Sequence, residues 1–75
     1  MTKFAAQIEA MIANAERAQA SGQILNAQVV TMIAGAKAAL ACTDAAWWAD
    51  SRLVDAKTVC IMAAQGDVSG AGKLI

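Results

Sequence analysis

Residues 25–41 read Leu25-Asn-Ala-Gln-Val-Val-Thr-Met-Ile-Ala-Gly-Ala-Lys-Ala-Ala-Leu-Ala41 and hold a single charge, Lys37. At about 100° per residue, Leu25, Val29, Met32, Ile33, Ala36, Ala39 and Leu40 gather on one side of a helix. Ala27, Ala34, Ala38 and Ala41 gather nearly opposite, with Val30 at their edge. A helix with two apolar faces belongs in the middle of a group of helices, mostly buried. A face of alanines lets another helix approach closely, because only methyl groups separate the backbones. Gly35 costs about 1 kcal/mol against alanine in mid-helix, and beside the alanine face it is placed to mark a close crossing.

Working outward, no proline interrupts the 75 residues, and twenty of them are alanine, the strongest helix former. Punctuation therefore comes from glycine and capping residues. Thr2 is a candidate N-cap, Ser21-Gly22 is the first break, Thr43-Asp44 offers a second N-cap, and Gly66 suits a C′ position. The pattern predicts helices over 3–20, 23–41 and 44–65, forming one domain over 1–65, followed by a glycine-rich tail over 66–75. The expected fold is all-α, a small three-helix up-down-up bundle. The Thr43-Asp44 break has no glycine, so a helical hairpin with one long kinked helix through 23–65 is the alternative.

The first helix is simply amphipathic: Phe4, Ile8, Met11, Ile12 and Ala15 share one arc, and Lys3, Glu9, Asn14, Glu16 and Arg17 lie outside it. The third has two apolar stripes, Trp47-Val54-Ile61 and Ala49-Leu53-Ala56-Cys60-Ala63. A lone three-helix bundle needs one inward face per helix, whereas two of these helices carry two. Surplus apolar faces mark interaction surfaces, and a chain this short buries a small share of its surface alone. Oligomerisation is therefore expected to complete the fold, with Ala27, Ala34, Ala38, Ala41, Leu53 and Cys60 as self-association residues.

Composition removes much chemistry. Six basic and six acidic residues cancel, which leaves no cationic surplus to displace counterions from nucleic acid. Histidine is absent, and with it the commonest general base and metal ligand. Cys42 and Cys60 make no CxxC and no disulfide framework; they read as two buried thiols in a reducing compartment, with a single Cys42–Cys60 bridge as the alternative. No catalytic group, cofactor or metal site is expected. Gly66-Asp-Val-Ser-Gly-Ala-Gly-Lys-Leu74 resembles a phosphate loop only loosely: Asp67 stands where the first glycine belongs and Leu74 where Ser or Thr would hold Mg²⁺. The amino terminus lacks a secretory layout and no stretch reaches a membrane-spanning length, so the chain reads as cytoplasmic.

Trp47 and Trp48 diverge by about 100° on a helix, so both cannot face one core. Trp47 goes with Val54 and Ile61 inward. Trp48 lies with Arg52, Asp55 and Met62, and Arg52 four residues on can stack over its ring. Trp and Arg are enriched at binding hot spots and Met adapts to irregular surfaces. Trp48, Arg52, Asp55 and Met62 are thus the expected partner-binding stripe. The expected function is that of a non-enzymatic helical interaction protein that blocks or bridges another protein as a homo-oligomer. Two alternatives are an oligomer that sequesters a nucleotide-like small molecule between Trp48 and a cation (Arg52 or Lys57), and a structural subunit of a self-assembly.

Overall fold

The structure, a computed structural model, describes residues 3–68, and four helices form among them: α1 (Ala5–Ala20), α2 (Ala27–Ala41), α3 (Ala45–Trp48) and α4 (Ala56–Ala64). The chain is all-α, a small helical bundle. No helix among the described residues is long and apolar enough to cross a membrane.

Helix α1 stops at Ser21-Gly22 as its sequence dictates. Gly22 takes φ +91°, and the amides of Gly22 and Gln23 donate to the carbonyls of Gln19 and Ala18, a Schellman motif. Gly66, at φ +82°, closes α4 in the same way, with Gly66 and Asp67 donating to Ala63 and Met62. Three Asx side chains start the other helices. Asn26 accepts from the amide of Val29 (2.9 Å), Asp44 from Ala46 (2.9 Å), and Asp55 from Thr58 (2.7 Å). Each satisfies an amide that a helix start leaves open. Thr2 lies outside the described residues; the N-cap position of α1 is Phe4, which makes no side-chain capping bond.

Two expected boundaries are corrected. The second helix begins at Ala27, not residue 23, because Asn26 caps it in an extended conformation. The third expected helix, over 44–65, does not exist as one element, and neither does a long helix through 23–65. Residues 42–44 are non-helical, and after the single turn of α3 the chain leaves the helix through 49–55. Asp50 causes the second break: its carboxylate accepts from the amide of Arg52 at 2.9 Å, an Asx-turn that competes with helical hydrogen bonding.

The bundle is organised by α2, which packs most extensively on α4 and next on α1. Gly35 makes the first contact possible. A β-carbon placed there would lie 2.0 Å from the Cys60 carbonyl oxygen and 2.9 Å from the Ala64 nitrogen, so the two backbones approach closer there than any side chain permits. Around this crossing Ala36, Ala38, Ala39, Val59, Cys60, Met62 and Ala63 are buried, with Phe4 and Ile8 of the α1 region, Trp47 and Leu53 closing the core. Val68, beyond α4, is also buried. Fully burying a side chain such as Ile8 or Val59 contributes about 1.5–3 kcal/mol. The end of the glycine-rich tail, including Gly72-Lys73-Leu74, lies outside the described residues.

Candidate interaction surface

Asp44 fixes α3, and α3 fixes the two tryptophans. Trp47 is buried in the core, and its Nε1–H meets no acceptor among the described residues. Trp48 is half-buried and donates from Nε1 to the Cys42 carbonyl at 3.0 Å. The rings meet edge to face, centroids 4.8 Å apart at 76°, an arrangement the ring quadrupoles favour. Both therefore meet the same core, Trp47 within it and Trp48 packed against it, contrary to the expectation from helical divergence, because the bond to Cys42 and the edge-to-face contact hold the Trp48 ring against Trp47.

The expected stripe of Trp48, Arg52, Asp55 and Met62 is not formed, since it relied on helical spacing across 49–55. Arg52 does not lie one helical turn beyond Trp48. Its guanidinium binds Asp50, with Nε 2.9 Å from Oδ2, and reaches Asp67 at 3.2 Å. The bonds from Arg52 hold the Asp50 carboxyl down at about 2, and Asp50 in turn raises Arg52 above its usual range. Asp55 is occupied in capping α4, and the Thr58 amide lowers its pKa. Met62 is a core residue. Of the four, Trp48 alone combines partial exposure with a large apolar surface.

The residues expected to self-associate also divide. Leu53, Cys60 and Ala38 are buried in the chain's own core. Ala27, Ala34 and Ala41 are exposed. Helix α2 is thus covered on the side facing α1 and α4 and open on much of its alanine side, not buried all round. Cys42 and Cys60 are both buried and are not joined in a disulfide, and burial pushes the Cys60 thiol up.

Large apolar side chains stay outside the core: Ile24 is 94% exposed, Val54 70%, Val30 51% and Ile61 40%. Val54 and Ile61 were expected to face inward with Trp47. The break at 49–55 uncouples them, and the Asp55 cap sets α4 in its own phase. The signal was present as Asp50-Ser51-Arg52 and as Asp55 three residues before Thr58, an Asx-cap spacing.

Two hollows share Trp48 as a wall. One, of about 610 Å³, is lined by Ala5, Glu9, Leu40, Thr43 and Ala49. The other, of about 660 Å³, is lined by Lys3, Phe4, Asp50, Leu53 and Val54. A groove of about 460 Å³ between α2 and α4 is bounded by Ala27, Met32, Lys57, Ile61 and Ala64, so Lys57 and Trp48 line separate hollows. Among the described residues no group of acidic or cysteine side chains is arranged to hold a metal ion. No protein-family model matches this chain, and no curated protein or solved structure does so either.

Proposed function

We propose that the chain is a small helical interaction protein without enzymatic chemistry, acting as a homo-oligomer that binds another protein and blocks or bridges it. One observation carries this reading: large apolar side chains are left outside a core that is already closed. Val54 is the clearest case, 70% exposed beside the hollow that Trp48 walls. A half-buried indole held by a hydrogen bond, next to an exposed aliphatic side chain, has the character of an interface anchor with little rotamer freedom to lose. A partner protein suits this surface better than a nucleotide-like ligand, because Arg52 is engaged by Asp50 and Asp67 instead of standing free beside Trp48. A reducing cytoplasm suits two cysteines that form no disulfide.

The test is a photo-crosslinking residue at position 54, activated in cells, with mass spectrometry of the adducts. One dominant foreign adduct, lost when Trp48→Ala is added, is the expected result. Adducts only to copies of the chain would remove the foreign partner and leave the structural-subunit reading.

A further inference from the structure

We infer that the groove between α1 and α2 is a self-association face occupied by a second, antiparallel copy of the same groove, each Glu16 set against the partner's Lys37. This rests on the oligomeric part of the function proposed above and assigns it a surface. The groove is lined by Ala15, Glu16, Leu25, Val30, Ile33 and Lys37, with Val30 half-exposed. Neither Glu16 nor Lys37 has an ion-pair partner among the described residues. One apolar groove thus displays one acid and one base, both unengaged.

Such a surface is complementary to itself. A two-fold contact pairs residue i with residue j and j with i, so one acid and one base per copy give two matched ion pairs. The geometry of α2 suits it. Its exposed residues Ala27, Ala34 and Ala41 are spaced evenly about Ala34, so an antiparallel copy centred there sets Ala27 opposite the partner's Ala41. Lys37 then falls opposite position 31 of the other copy, next to the partner's Val30, which shares its groove with the partner's Glu16. The methylene stem of Lys37 covers the partner's Val30 while the ammonium reaches the carboxylate. The 15 residues of α2 span about 22 Å, and two helices side by side are roughly 20 Å wide. A face of that size belongs to the small class of interfaces, so micromolar association is expected.

Sedimentation velocity from about 1 μM to 1 mM at low salt tests this. The natural chain should dimerise. Glu16→Lys and Lys37→Glu should each weaken the dimer about tenfold, because two attractive pairs become repulsive. Mixed in equal amounts they should associate with each other, since both cross-pairs are then attractive, and about 1 M salt should shrink the differences. Both positions are exposed, so an unchanged circular dichroism spectrum serves as the folding control. A chain that stays monomeric to 1 mM sinks the oligomer reading itself. A dimer that both variants leave intact, or variants that do not rescue each other on mixing, refutes this face alone.

Discussion

Gly35→Ala should destabilise the bundle although it replaces a poor helix former with the best one. The helical gain is about 1 kcal/mol. Against it, the new β-carbon would lie 2.0 Å from the Cys60 carbonyl oxygen, 2.9 Å from the Ala64 nitrogen and 3.0 Å from the Ala64 β-carbon. The first two atoms are backbone and cannot turn aside as a side chain would. Restoring an ordinary carbon–oxygen contact means moving α2 from α4 by roughly 1 Å, and a gap of that size forfeits a quarter to a half of each dispersion contact across it. Overpacking typically costs about 1–3 kcal/mol. Here it falls on the main helix pair, at the top of that range or beyond, so a net loss of about 2 kcal/mol is expected. For a domain of this size that lowers Tm by roughly 8–16 °C, measured by thermal melting followed by circular dichroism. Adding Ala64→Gly removes only the 3.0 Å contact and should not restore stability. A Tm at or above that of the natural chain would refute the close crossing. Full rescue by Ala64→Gly would show that a side chain, not the Cys60 carbonyl, is the obstacle.

Other perturbations separate the remaining features. The Asp50 carboxyl is held at about 2 against an ordinary 3.8, so its stabilising effect is complete above pH 3.8 and is lost as pH falls towards 2. Tryptophan fluorescence should report loosening of the 49–55 loop in that window, and Asp50→Asn should remove the transition. Asp55→Ala deletes the α4 cap and should cost about 1 kcal/mol in urea unfolding, while Asp55→Asn retains most of it. Trp48→Phe keeps a ring but loses the Nε1–H bond to Cys42, for a loss of about 1 kcal/mol by the same assay. Val54→Ser, at an exposed site, should shift stability by no more than about 0.5 kcal/mol yet reduce partner affinity in a binding titration; unchanged affinity would remove Val54 from the proposed surface.

The helical class, the break at Ser21-Gly22, the Asp44 cap, the Gly66 stop and the close approach at Gly35 were all legible in the sequence. Each rests on a residue with one strong local physical preference: glycine for positive φ or for absent bulk, Asp for an open helix start. The break in the third helix was not legible, for the opposite reason. From Ala45 to Ala64 the chain is alanine-rich with regular apolar spacing, and alanine's propensity carried the helical pattern straight through Asp50-Ser51-Arg52. What decides that stretch is competition. The Asp50 carboxylate binds the Arg52 amide and guanidinium together, and Asp67 adds a second acid from beyond α4. That last contact is long-range and has no local sequence signature.

The candidate site was poorly legible because of the same residue type. Alanine secures a helix but hardly says which face is buried, because its methyl contributes only about 0.8 kcal/mol on burial, against 1.5–3 for a larger aliphatic side chain. On α2 the four alanines read as one face are split, Ala38 buried and Ala27, Ala34 and Ala41 exposed, and only about 40° of helical phase sets Ala38 apart from Ala34. A core built by bringing α2 and α4 together at Gly35 closes with small residues and has no room for every large one. Ile61 of α4 and Val30 of α2 lie on the two crossing helices and stay exposed. Filling the crossing with larger side chains would move the helices apart and change the grooves that these residues border. The exposed apolar side chains are thus coupled to the closeness of the core, and a variant such as Gly35→Ala that widens the crossing should alter association at the outer grooves as well as stability.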